Sequence, residues 1–220
     1  MSDNIQEKFL DYCETGNFVK VKELIKDPHV DPSGQENYTI KWSSENGYVE
    51  VVKMLLKDPR VDPSAENNYA IRYASYYGHI EVVRELLKDS RVKPSDKDNF
   101  AIRYSSQYGH IEVVKELLKD PNVDPSDNNN WTIRSSSSNG HLEVVRELLK
   151  DPRVDPSEYY NESIRMASGN GHIEVVKELI KDSRINKNKL LNSIITDELL
   201  SIIFNELRYE SINKVLDTDI

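Results

Sequence analysis

The chain has 220 residues, 37% hydrophobic and 30% charged, with a formal charge of −9 and a pI near 5.2. That composition suits a globular protein with enough apolar side chain to build a core, and its acidity repels phosphate backbones, so nucleic acid is not an expected partner. No run approaches the roughly 20 apolar residues of a membrane-spanning helix, and the opening MSDNIQEKF lacks the basic-then-apolar layout of a signal peptide. A single cysteine, Cys13, cannot form an internal disulfide or a cysteine-built metal site. These features predict a cytoplasmic protein without membrane association, with Cys13 buried as a small apolar residue.

The first elements are two helices over residues 5–14 and 18–26, with Phe9 and Tyr12 facing inward; residues 1–33 read as an N-terminal capping unit. From there a ruler governs the chain. Gly16, Gly47, Gly78, Gly109, Gly140 and Gly171 recur every 31 residues, and Pro32, Pro63, Pro94, Pro125 and Pro156 keep the same spacing inside a short V-D/K-P-S element. A fixed period of this size marks a stack of supersecondary units, each completing the core of its neighbour.

Within one period, residues 68–77 read as a first helix, Gly78 breaks it, and residues 79–88 form a second. Ile80, Val83 and Leu87, joined by Val82 and Leu86, make an apolar stripe at helical spacing, while Glu81, Arg84, Glu85 and Lys88 lie opposite. Glu81 and Arg84 are placed for i,i+3 pairing. The helix should stop near Asp89, because Asp58, Asp120 and Asp151 each precede a proline that disfavours helix. Ser90 replaces that proline, which predicts a frayed exit there.

The segments GHIEVVKELL from Gly109 and GHLEVVRELL from Gly140 resemble the second helix of an ankyrin repeat. Where that family usually carries Thr-Pro-Leu-His, this chain has Tyr69-Ala70-Ile71-Arg72, Phe100-Ala101-Ile102-Arg103 and Trp131-Thr132-Ile133-Arg134. Its period of 31 is shorter than the family's usual length of about 33, so tighter loops are expected. The resemblance spans roughly residues 5 to 185 and implies an all-α ankyrin-repeat solenoid of stacked helix-turn-helix units with short loops, the repeats running over residues 34–188. The DPRVDPS turn is also similar to multi-copy ankyrin proteins of giant DNA viruses and protists, which implies a viral protein acting in host-cell cytoplasm.

By the same resemblance, first helices and loop tips form a concave surface that binds a partner protein, and second helices form the back. The positions five, two and one before each glycine share one helix face, and they vary between copies while Val52, Val83, Val114, Val145 and Val176 stay fixed. They are Trp42, Glu45 and Asn46; Tyr73, Tyr76 and Tyr77; Tyr104, Gln107 and Tyr108; Ser135, Ser138 and Asn139; and Met166, Gly169 and Asn170. Aromatic residues concentrate there, as in binding hot spots. Trp42, Tyr73 and Tyr104 have packing between repeats as an alternative role.

Arg72, Arg103, Arg134 and Arg165, with Lys41 in the matching place, are expected to bond the first helix to the Asp- and Asn-bearing loop before it. His79, His110, His141 and His172 follow each glycine; packed helices lie about 8–10 Å apart, too far for neighbouring rings to share a metal, so a structural role is expected. Serine runs such as residues 135–138 suit close helix approach. No nucleophile elbow, phosphate loop, zinc pair or calcium loop occurs, so neither catalysis nor a cofactor is expected.

From Leu190 the ruler fails. Residues 195–207, followed by Tyr209, Glu210, Ser211 and Ile212, resemble the opening helices of an F-box, with Thr196 where that family has proline. The resemblance implies that Leu199, Ile202, Ile203 and Leu207 dock on the linker subunit of a cullin-type ubiquitin ligase, making the chain a substrate adaptor. The alternative is a C-terminal helical cap over residues 189–220 that covers the last apolar face. The leading expectation is a monomeric, non-catalytic scaffold for protein–protein interaction.

Overall fold

The computed structural model describes residues 2–185 together with 190 and 201. Twelve helices and no strand occur among the described residues. They run as six pairs: α1 (Ser2–Glu14) and α2 (Phe18–Leu24), α3 (Gly34–Glu45) and α4 (Val49–Leu55), α5 (Ala65–Tyr76) and α6 (Ile80–Leu86), α7 (Asp96–Gln107) and α8 (Ile111–Leu117), α9 (Asp127–Ser138) and α10 (Leu142–Leu149), α11 (Glu158–Gly169) and α12 (Ile173–Ile180). This is the all-α repeat solenoid that the period implies.

Each pair turns on its glycine. Gly78 has φ +78°, and the amide of His79 reaches back to the carbonyl of Ala74 at 2.8 Å while that of Gly78 bonds Ser75 at 3.2 Å. This is a Schellman closure, in which the left-handed residue is glycine because a Cβ is costly there. The second helix is shorter than its sequence stripe suggests: α6 ends at Leu86, with His79 as its N-cap and Leu87 as its C-cap.

The exit at Ser90 does not fray. The amide of Asp89 bonds Leu86 at 3.1 Å and that of Val92 bonds Asp89 at 3.0 Å, matching the Asp58 and Val61 bonds at 3.0 and 3.1 Å beside Pro59. The turn is fixed by the aspartate, whose Oδ1 accepts from the amide and Nε of Arg91 while Oδ2 pairs with Nη2. Proline is dispensable where that fork is present.

The connection into each first helix is one that the sequence reading missed. Glu66, Asn67 and Asn68 all have φ between +51° and +60°, and three residues at the head of α3, α7, α9 and α11 are left-handed in the same way. Each first helix from α3 to α11 thus opens on a turn of the opposite hand, and in α5 regular right-handed geometry begins one residue later, at Tyr69. A left-handed non-glycine residue costs roughly 1–2 kcal/mol. The last of the three is always asparagine, a residue that tolerates this region.

The chain divides into two compact units, Met1–Ser105 with His110–Asp124, and Ser106–Gly109 with the residues from Pro125 on. The first is cored by Phe9, Val21, Ile40, Leu55, Ile71, Leu86, Ile102 and Leu117, all fully buried. Tyr12 packs against this core and Cys13 lies inside it; burial pushes the Cys13 thiol up to about 12. In the second unit Ile133, Val145, Leu148, Ile164 and Leu179 are buried. Ser75 and Ser105 in the first unit, and Ser136, Ser137 and Ser163 in the second, are buried small residues on first helices, as the serine runs predict. The Glu81–Arg84 pair forms at 2.7 Å. The segment 189–220, with the docking candidates Leu199, Ile202, Ile203 and Leu207, lies outside the described residues apart from 190 and 201.

Candidate recognition face

The face is built on the C-terminal turns of the first helices. The residue before each glycine is its exposed tip: Asn46 and Tyr77 in the first unit, Tyr108, Asn139 and Asn170 in the second, with Tyr77 48% and Tyr108 43% exposed. The residues two and five before the glycine are half-buried for Trp42, Glu45, Tyr73, Tyr76, Tyr104, Gln107, Ser135 and Ser138, whereas Met166 and Gly169 are exposed.

Backbone, not side chain, fixes this face. His79 Nε2 lies 2.9 Å from the carbonyl oxygen of Glu45, and His110 Nε2 lies 2.9 Å from that of Tyr76. The second unit repeats the bond, from His141 to Gln107 at 2.8 Å and from His172 to Ser138 at 3.0 Å. A carbonyl only accepts, so Nε2 carries the proton. Each ring lies over the glycine of the preceding repeat: a Cβ at Gly47 would stand 2.6 Å from His79 Nδ1, and one at Gly78 2.6 Å from His110 Nδ1. Each of these four histidines therefore pins the carbonyl, and not the side chain, of a variable residue. Their role is structural, as the spacing argument requires.

In the first unit the face carries a continuous aromatic ladder. Tyr69 stacks on Tyr73 with centroids 4.1 Å apart, Tyr73 lies 5.6 Å from Phe100, Phe100 4.2 Å from Tyr104, and Tyr104 5.6 Å from Tyr76, which meets Tyr77 edge-on at 4.8 Å. Tyr73 and Tyr104 thus stack sideways along the surface, and their half-exposure places them between the two roles that the sequence left open. Trp42 donates Nε1–H to the Glu14 carbonyl at 3.2 Å and packs 5.9 Å from Tyr38. Tyr38, Lys41, Trp42, Glu45 and Tyr69 enclose a hollow of about 230 Å³. The Tyr69 hydroxyl donates to Glu45 at 2.7 Å, and burial, then that carboxylate, push the phenol above its ordinary range.

Three arginines of the basic column bond the loop before their helix as expected, with a difference in partner. Arg72 donates to the carbonyls of Asn67 at 3.0 Å and Glu66 at 3.2 Å, Arg134 to Asn129 at 3.1 Å and Arg165 to Tyr159 at 3.3 Å. They tie the helix to backbone of the left-handed turn, not to the Asp and Asn side chains there. The Arg72 guanidinium also lies over the Phe100 ring, 5.1 Å from its centroid. Lys41 pairs with Glu66 instead.

The second unit is poorer in rings. Gln107, Trp131, Ser135, Ser138, Glu162 and Met166 help to line a hollow of about 240 Å³. Asn139 Nδ2 donates to the Ser135 carbonyl at 2.8 Å, and Asn170 Nδ2 to that of Ser138 at 2.7 Å. Arg134 pairs with Glu162 at 2.6 Å.

A fixed asparagine column also escaped the sequence reading, although Asn37, Asn68, Asn99, Asn130 and Asn161 keep the period of 31. Asn68 Oδ1 accepts from the Lys93 amide at 2.7 Å and Nδ2 donates to Asp96 at 2.7 Å. Asn37, Asn99 and Asn130 bond the amides of Asp62, Asp124 and Asp155 at 2.7–2.8 Å. These four bonds lock a turn to the one that follows it and offset the cost of the left-handed backbone.

Among the described residues no group of three His, Cys, Asp or Glu could hold a metal, and no helix is long and apolar enough to cross a membrane. A family model described as ankyrin repeats matches the chain three times, over residues 10–98, 71–160 and 100–190, and the chain belongs to that family. Ankyrin repeats as a class mediate protein–protein interaction and are typically non-enzymatic. No curated protein matches the chain.

Proposed function

We propose that the chain is a non-catalytic scaffold that holds a partner protein on the first-helix face, with Tyr73, Tyr76, Tyr77 and Tyr104 in the first unit and Gln107, Tyr108, Ser138 and Asn139 in the second as contact residues. Trp42, Glu45 and Asn46 extend the first of these surfaces. The observation that carries the reading is the division of labour at the helix ends. The carbonyl two before the glycine is held by a histidine in four repeats, while the side chain on the same residue is Glu45, Tyr76, Gln107 or Ser138. A fold that needed these side chains would not vary them, and tyrosines whose positions are fixed by backbone lose little entropy on binding.

The test is affinity capture from a eukaryotic extract with the intact chain and with Tyr76, Tyr77 and Tyr108 changed to alanine, after circular dichroism shows that the variant is folded. Loss of a partner with the fold intact supports the reading; retention of every captured protein refutes it. The resemblance of residues 195–207 to the opening helices of an F-box supports a second reading, a ubiquitin-ligase adaptor that docks through Leu199, Ile202, Ile203 and Leu207. A version ending at Lys189 would then lose the ligase linker and keep the tyrosine-dependent partner.

A further inference from the structure

The turns after the second helices repeat one arrangement from Asp58 onward, the first carrying His29 on Asp27 instead, and a departure at residue 122 leaves a shaped space. In Asp58–Arg60 the carboxylate holds the guanidinium through Oδ2 and Nη2 at 2.7 Å, and Nη1 reaches the Val30 carbonyl of the preceding repeat at 2.9 Å. Arg91 does the same, with Asp89 at 2.6 Å and the Val61 carbonyl at 3.0 Å, and so does Arg184, with Asp182 and the Val154 carbonyl both at 2.5 Å. Each guanidinium is a plug between a carboxylate of its own turn and a carbonyl of the turn before.

At the fourth of these turns the plug is missing, because asparagine stands at position 122. Asn122 is too short to cross. Its amide and its Nδ2 both fold back onto Asp120 Oδ1, at 2.8 and 3.0 Å. Among the described residues Oδ2 of Asp120 and the carbonyl of Val92 accept no hydrogen bond. Val92 is correspondingly 8% exposed, where Val30 and Val61 are 1% and 0%. A notch of about 520 Å³ opens there, lined by Asp120, Asn122, Val92, Asp89, Ser90 and Lys93 among others. Asp89 is already held by Arg91, so the unmatched charge belongs to Asp120.

We infer that this notch is a binding site for the guanidinium of an arginine side chain presented by a partner polypeptide, which takes the place filled internally by Arg60, Arg91 and Arg184 elsewhere. The protein's own turns are the template. A planar fork can bond the Asp120 carboxylate and the Val92 carbonyl together, which a lysine ammonium cannot match in geometry. Lys93, exposed at the mouth, opposes any simple cation and leaves hydrogen-bond geometry as the selector. The site lies on the turn edge, apart from the aromatic face, and does not rest on the reading proposed above.

The probe is the capped tripeptide Gly-Arg-Gly, titrated into the intact ¹⁵N-labelled chain and compared with Gly-Lys-Gly and with free L-arginine. Saturable shifts at the amides of Asp120, Asn122 and the residue after Val92 are expected, with the lysine peptide weaker by about 10-fold or more. Asn122→Arg fills the notch from within and should abolish peptide binding while raising the urea midpoint; Asp120→Asn should abolish binding without that gain. Tyr76→Ala with Tyr77→Ala should leave peptide binding unchanged. Equal shifts from the arginine and lysine peptides, or undiminished binding by Asn122→Arg, would overturn the site. Free L-arginine binding as tightly as the peptide would overturn its assignment to a polypeptide.

Discussion

A methyl group at Gly47 would meet two independent obstacles, and they can be separated. The backbone there has φ +74°, which costs an alanine roughly 1–2 kcal/mol. Its Cβ would also stand 2.6 Å from His79 Nδ1, in a ring held by the bond from Nε2 to Glu45. Overpacking of this kind costs about 1–3 kcal/mol, so Gly47→Ala should destabilise by about 2–5 kcal/mol. His79→Ala alone loses one hydrogen bond and some packing, about 1–3 kcal/mol. In the double variant the clash has no ring to meet. The combined loss should therefore fall short of the sum of the two by about 1–3 kcal/mol. Equilibrium urea unfolding followed by far-ultraviolet circular dichroism measures all three. Additivity to within about 0.5 kcal/mol would refute the view that the ring, and not φ alone, demands glycine.

Asn68→Ala removes two bonds and places alanine at φ +60°, for an expected loss of about 2–4 kcal/mol in the same unfolding assay; Asn68→Asp should fail to rescue at neutral pH because it faces Asp96. The carboxyls of Asp58, Asp89, Asp151 and Asp182 are held below the usual range by hydrogen bonds from Arg60, Arg91, Arg153 and Arg184. The unfolded chain then binds more protons in acid, so stability should be flat from neutral pH to about 5 and fall as pH drops below about 4; Asp58→Asn should shallow that fall in urea midpoints taken across pH. Cys13, buried and with its thiol pushed up to about 12, should react with a thiol reagent only as fast as the unit opens, and at the free-thiol rate in urea.

The legible parts of this fold are those in which one residue type does one thing. Gly78 and its copies ended the first helices where the period placed them, and Val83 and Leu86 faced the core because helical spacing allowed nothing else. The left-handed turn was opaque because Glu66, Lys97 and Tyr159 are ordinary side chains in an unusual backbone, and only the asparagine that follows two residues later gives a signal. Ser90 misled because proline is a visible helix breaker, while the Asp–Arg fork that stops the helix is a pair separated by one residue. On the face, the variation of residues 45, 76, 107 and 138 was readable as pattern. The reason it is tolerated was not, since the histidine bond goes to a carbonyl that every residue has.

That bond gives the molecule a modular grammar. A glycine, a histidine and a main-chain oxygen recur at four joints between repeats, so the same joint forms whatever the tip displays. Duplicating, deleting or exchanging a stretch of 31 residues leaves the joint unchanged. The chain can thus rewrite the message on its surface without renegotiating its architecture.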